Sequence, residues 1–333
     1  MLLKTERLNC ALKALSETAS LFVPARRDDG DDIKFALWND KVQPDFSKNS
    51  IIPPKDLLFP QSECLYQFTQ NGEDTAITES AAPLPMIVFG IRPCDVQSIG
   101  CMDDVFLTHG YTDTLYERRR EQLTTVAFGC ENSEDTCFCG SMGGSPNAAP
   151  LADVMMFKTP RGFSLTSQSI KGEKFLVAIG SFLEDEKIAP APNTECVLKV
   201  DIEGVAEKLS EMFESPLWDE ISRPCLGCGI CTFICPTCYC FDMNQEMQGN
   251  EGTAFRCWDS CMFSDYTRMA GGANPRPSKL ERVRNRYMHK LCFFNERYGK
   301  TLCVGCGRCL KKCPVGMNIT EVIRRVKKEC TNE

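Results

Sequence analysis

Residues 225–240 read CLGCGICTFICPTCYC. A run so rich in thiols is a disulfide framework, a zinc site or a cradle for iron and sulfur, and the choice decides what the second half of the chain folds around. Cys225, Cys228, Cys231 and Cys235 follow C-x-x-C-x-x-C-x-x-x-C, with Pro236 next. Cys303, Cys306, Cys309 and Cys313 repeat the pattern, with Pro314 next. Zinc sites pair their ligands as C-x-x-C with a distant second pair or with histidines, which three thiols in succession do not match. The doubled run is that of two-cluster ferredoxins, in which three thiolates hold one [4Fe–4S] cluster and the fourth reaches across to the other. The spacing therefore assigns Cys225, Cys228, Cys231 and Cys313 to one cluster, and Cys303, Cys306, Cys309 and Cys235 to the second. Gly227, Gly229, Gly305 and Gly307 suit a backbone folded tightly around a cofactor.

Composition supports this choice. The chain has 333 residues, 43% apolar and 25% charged, which is ordinary for soluble globular proteins and long enough for about two domains. The net charge of −7 disfavours a nucleic-acid partner, which calls for a basic surface. The opening MLLKTERLNC carries charge where a signal peptide needs an apolar run, and no stretch reaches the roughly 20 apolar residues of a membrane span. A cytoplasmic location is expected, and in reducing cytosol 22 cysteines read as metal ligands rather than disulfides.

The fold class expected is α+β: a mixed α/β domain over 1–215, then a mostly helical ferredoxin-type domain over 216–333 with a long insertion at 237–302. Within the insertion, RPSKLERVRNRYMHKLCFFNERYG at 276–299 reads as a helix entered through Pro277. Its Lys279, Arg282, Arg284, Arg286 and Lys290 form either a solvated face or a set of charges that offset the negative clusters or dock an acidic partner. In the first half, Leu8, Leu12 and Leu15 recur at helical spacing, whereas MIVFGI (86–91), TTVAFG (124–129) and KFLVAIG (174–180) are short apolar runs of strand type. Residues 203–214 look helical, with Val205, Leu209, Met212 and Phe213 on one face; SPLWDEISRP (215–224) reads as a linker, and PAPN near 190–193 as a loop. Two strand ends carry Cys94 and the group Cys130, Cys137 and Cys139. These four thiolates could hold a third [4Fe–4S] cluster, or be inert buried cysteines; spacing alone does not decide. GSMGG at 140–144 lacks the spacing and lysine of a phosphate loop and reads as a flexible loop.

GIRPCD, the RRR…FGCENSEDTCFCGSMG segment, CLGCGICTFICPTCYCFD, WDSCMFSDYTRMAGGANPRPSKLERVRNRYMHK and CVGCGRCLKKCPVG together resemble the iron–sulfur β subunit of cytoplasmic sulfhydrogenases, the NADPH-linked nickel–iron hydrogenases, and the related iron–sulfur subunit of anaerobic sulfite reductase. The resemblance spans about 86–318. It implies a subunit that carries electrons between a flavin subunit, which meets NAD(P)H, and a catalytic metal subunit. It also implies that Cys94, Cys130, Cys137 and Cys139 ligate an additional cluster, with Asp95 a carboxylate that could replace one thiolate. Cys238, Cys240 and Cys261 fall within the family pattern, whereas Cys257 departs from it. These four are candidates for a fourth metal site, set against thiols that ligate nothing. Cys10, Cys64, Cys101, Cys196, Cys292 and Cys330 are read as structural or incidental.

A relay of this kind needs no acid, base or nucleophile, and the two histidines, His109 and His289, stand in no recognisable catalytic constellation. Two other readings compete with it. A cluster-based reductase acting directly on a disulfide or sulfur substrate would show a C-C dipeptide in its heterodisulfide form, and the chain has no adjacent cysteines. A scaffold or sensor would hold metal without turnover.

Overall fold

The computed structural model describes residues 1–26, 30–186 and 194–329; the stretch at 190–193 and Cys330 lie outside them. Twelve strands are described: β1 (Leu2–Lys4), β2 (Ser20–Arg26), β3 (Ile33–Leu37), β4 (Ser62–Asn71), β5 (Asp74–Glu79), β6 (Met86–Ile91), β7 (Leu123–Phe128), β8 (Val154–Thr159), β9 (Gly162–Ser167), β10 (Leu183–Glu184), β11 (Phe241–Gln248) and β12 (Glu251–Trp258). Eight form a mixed sheet in the order β10-β1-β9-β8-β7-β6-β2-β3. Its central strands β2, β6, β7 and β8 are parallel. β6 and β7 are buried almost throughout, as parallel strands covered on both faces must be, so MIVFGI and TTVAFG are unbroken apolar runs. One face packs on Ala11, Leu12 and Leu15 of the helix Leu8–Ser16, the other on the helix Pro93–Leu107.

KFLVAIG is not a strand. It belongs to the helix Ile170–Ala178, whose Gly172 amide donates to the Ser169 side chain. Phe175 and Ile179 are the buried pair, four residues apart on one helical face, while Val177 is 80% exposed. A short apolar run cannot be assigned by period alone, and the serine cap decides it.

The second half is not mostly helical either. β11 and β12, from the insertion, form a hairpin closed by Gly249 and Asn250, with Gly249 at φ 64°, the kind of turn hairpins favour. The hairpin joins β4 and β5 in a four-stranded sheet ordered β11-β12-β4-β5. Residues 215–224 are core rather than linker: the helix Leu217–Ser222 buries Leu217, Trp218 and Ile221, and Trp218 stacks on Tyr287 at 6.4 Å between centroids. Val205 and Leu209 are buried as expected, but Phe213 stays 37% exposed beneath the Arg284 guanidinium, 3.8 Å from its ring centre. No helix among the described residues is long and apolar enough to cross a membrane.

Candidate metal centres

Cys225, Cys228, Cys231 and Cys313 line one pocket. Thus three thiols of the first run meet the last thiol of the second. Gly227 and Gly229 sit at φ 68° and 74°, Gly305 and Gly307 at 65° and 75°, a region that glycine reaches without strain. The two runs therefore curl in the same way. Backbone amides reach the sulfurs here: Met317 N donates to Cys313 Sγ at 3.2 Å and Gly227 N to Cys225 Sγ at 3.4 Å.

Cys235, Cys303, Cys306 and Cys309 form a second group. Burial, then neighbouring thiols that include Cys235, pushes Cys303 and Cys309 up to about 12, with Lys290 opposing at Cys303 and Arg286 at Cys309. Cys235 moves the other way, well below its usual value, through a Cys238 hydrogen bond and the Lys290 ammonium. Lys290 is 3% exposed and donates to Cys235 Sγ at 3.3 Å and Thr237 Oγ1 at 3.1 Å. Burial opposes its charge, yet Cys235, Cys238 and Cys303 hold it protonated.

The basic helix explains how Lys290 arrives there. A capping box of Ser278 and Glu281 starts the helix Lys279–Met288, a π-turn follows over His289–Phe293, and a last turn ends at Gly299. Arg286 and Lys290, four apart, share the inward face; Arg286 is 5% exposed and lies close to Cys231 and Cys309. The other three cations stay partly exposed, in keeping with a solvated face, but each also bonds a backbone carbonyl. Lys279 donates to the Arg223 carbonyl, Arg282 to those of Arg276 and Pro277, and Arg284 to that of Phe213.

A third cavity lies where β6 and β7 end. Cys94, Cys130, Cys137, Cys139 and Cys196 line it, together with Cys306 of the second group. The four cysteines singled out from the sequence are thus gathered, with a fifth that spacing gave no reason to suspect. Burial raises Cys94 well above its usual value and Cys137 to about 12. Asp95 does not face the cavity as a spare ligand: its two oxygens accept from Arg308 at 2.6 and 2.7 Å, and Arg308 stands between Cys306 and Cys309 in the chain. GSMGG is not a loose loop. It overlaps the tight turn Cys139–Met142, closed by Gly143 at φ 76°, and Ser141 Oγ accepts from Val200 N.

Of Cys238, Cys240, Cys257 and Cys261, Cys240 interacts with both Cys238 and Cys261. Cys238 hydrogen-bonds with Cys235. Cys240 pairs with Cys261, which with Tyr266 draws its thiol down to about 6 against burial. Cys257 sits apart on β12, near the Asn244 amide at 3.7 Å. Among the described residues, no three histidine, cysteine or carboxylate side chains are grouped closely enough for a single metal ion; the cysteines stand around open cavities instead. Of the incidental thiols, Cys10 is exposed, Cys64 half-buried, and Cys101 and Cys292 buried. His109 lies edge-on to Tyr298 and His289 hydrogen-bonds Tyr239.

Residues 224–317 match the 4Fe-4S dicluster domain family. Over 327 residues the chain is 30% identical to the sulfhydrogenase 2 subunit beta of Pyrococcus furiosus, an alignment covering 94% of each chain. No solved structure matches.

Proposed function

The chain belongs to the sulfhydrogenase β-subunit family and carries a 4Fe-4S dicluster domain, and from that premise we propose that it relays electrons between a flavin subunit that meets NAD(P)H and a catalytic metal subunit of an anaerobic oxidoreductase. Its [4Fe–4S] clusters supply reversible one-electron storage. The protein's part is to hold them, keep them in order and set their electrostatic surroundings. The reading rests above all on the cavity shared by Cys225, Cys228, Cys231 and Cys313, because this is the crossed ligand set of a two-cluster ferredoxin.

The sites would stand in a row. Cys306 belongs to the second ferredoxin group and to the wall of the N-terminal cavity. Arg286 interacts electrostatically with both Cys231 of the first group and Cys309 of the second. At the far end Cys228 is exposed, flanked by Leu226, 65% exposed, and by the part-exposed Ile230 and Phe263, an apolar rim on which a partner subunit would lie. Anaerobic reduction with dithionite, followed by EPR, tests the crossed pairing. Cys313→Ala is expected to lose the same signal as Cys225→Ala and to keep the signal that Cys303→Ala removes. The reverse pattern would overturn the assignment.

A further inference from the structure

The N-terminal cavity offers five thiols of its own, Cys94, Cys130, Cys137, Cys139 and Cys196, whereas a [4Fe–4S] cluster takes four. We infer that Cys196 is a ligand of an N-terminal [4Fe–4S] cluster, with Cys94, Cys130 and Cys139, and that Cys137 is the thiol left over. This rests on the reading that the first half holds a cluster at all.

Three observations place Cys196 in the set. It is 6% exposed, and its Sγ lies 3.5 Å from Cys139 Sγ, so both thiols reach the same stretch of the cavity wall and must move apart to grip different irons. The segment that carries it is strapped to the loop after Cys130 by two hydrogen bonds, Thr194 Oγ1 to the Glu131 carbonyl and Ser133 Oγ to the Glu195 carbonyl, both 3.0 Å. Those bonds fix 194–196 against the cavity although the residue is distant in sequence from the other thiols.

Cys137 is held differently. Its neighbours dock on the second ferredoxin run: Phe138 N donates to the Gly305 carbonyl at 2.8 Å, and Thr136 abuts Gly307 so closely that a Cβ there would lie 2.4 Å from its carbonyl oxygen. The Cys137 thiol is half-buried and lies 3.9 Å from the Cys306 carbonyl oxygen. It therefore sits at the junction of the two sites, on the side facing Cys306. Asp95 is no substitute ligand, because Arg308 holds both of its oxygens.

Iron and acid-labile sulfide per chain, with EPR of the dithionite-reduced protein, decide the matter in the oxygen-free full-length chain. Cys137→Ala is expected to keep the full iron content of the wild type and its N-terminal signal. With Cys137 gone, four thiolates remain only if Cys196 is one of them. Cys196→Ala, and the double variant Cys137→Ala/Cys196→Ala, are expected to lose about four irons per chain and that signal. If Cys137→Ala itself loses about four irons, or Cys196→Ala loses none, the ligand assignment falls while the cluster stands. If the wild type holds only about eight irons, the N-terminal cluster falls, and the assignment with it.

Discussion

A lysine buried beside a cysteine sulfur is costly unless the sulfur bears charge, and Lys290 is such a residue, its Nζ 3.3 Å from Cys235 Sγ. A cation at that distance stabilises the reduced, more negative state of a cluster held by Cys235. A hydrogen bond to a charged group contributes about 1.5–3 kcal/mol, and for a one-electron couple a tenfold change in equilibrium is about 59 mV. Lys290→Met is therefore expected to lower the midpoint potential of the cluster proposed on Cys235, Cys303, Cys306 and Cys309 by on the order of 100 mV. Redox titration followed by EPR measures it. Arg284→Gln, whose charge points to Glu214 and the Phe213 ring, should leave both potentials alone; equal shifts in the two variants would mean that the effect is not local. The sequence already raised the idea that this helix offsets negative clusters, but not which cations do so. Period 3.6 puts Arg286 and Lys290 on one face; it cannot say that this face turns inward. Cys196 was illegible for a different reason. It belongs to no spaced motif, and only the strap to the Cys130 loop brings it to the cavity.

At the scale of elements, what the sequence made legible was what local rules govern. Both ferredoxin runs, the helix near Leu8 and the parallel strands β6 and β7 were readable because thiol spacing and unbroken apolar runs carry their own meaning. The hairpin β11–β12 was not read. Its strands are largely polar and exposed on β11, so its edge position hides the alternation, although Gly249–Asn250 is a hairpin signal in retrospect. The docking of the Thr136–Cys139 segment on the second ferredoxin run was beyond reach, since it depends on glycines chosen for a contact and not only for a turn. Gly307 serves both ends: φ is 75°, and a Cβ would meet Thr136 backbone at 2.4 Å. Gly299 has a similar φ of 68° but open space around it. Gly299→Ala should cost about 1 kcal/mol for the backbone alone. Gly307→Ala should cost clearly more, of order 2–3 kcal/mol, and should also perturb the EPR of the second ferredoxin cluster, since Cys306 and Cys309 flank it. Anaerobic thermal unfolding of the two variants measures the difference. Equal losses, with spectra unchanged, would show that the close approach carries no energy.

Over the whole molecule, the two halves that composition and motif suggest are tied together at several levels. β12 pairs with β4 from Glu251↔Thr69 to Cys257↔Ser62, so the insertion completes a sheet begun by the first half. Arg256 on β12 is buried and bonded to Glu63 and Asp113 at 2.5 Å. Arg308 of the second ferredoxin run is buried and bonded to Asp95, and to the Ser50 carbonyl at 2.7 Å. Phe138 and Met142 share one core with Trp218 and Tyr287. Removing residues 1–215 would strip both arginines of these partners, take β4 and β5 from the shared sheet and uncover the core of Trp218 and Tyr287 by removing Phe138, Met142, Val205 and Leu209; exposing a large apolar side chain costs about 1.5–3 kcal/mol, against a total stability of about 5–15 kcal/mol for a typical domain. The fragment 216–333, reconstituted with iron and sulfide, is therefore expected not to behave as a free-standing two-cluster ferredoxin. It should hold fewer than about eight irons, and the cluster on Cys303, Cys306 and Cys309, whose run contains Arg308 and rests on Phe138, should be the one lost. The full chain should unfold in a single transition that removes all cluster absorbance together. A soluble fragment with about eight irons and both native EPR signals would mean instead that the ferredoxin unit is autonomous, and that the shared sheet and the Arg308–Asp95 bridge align two independent bodies without sustaining either.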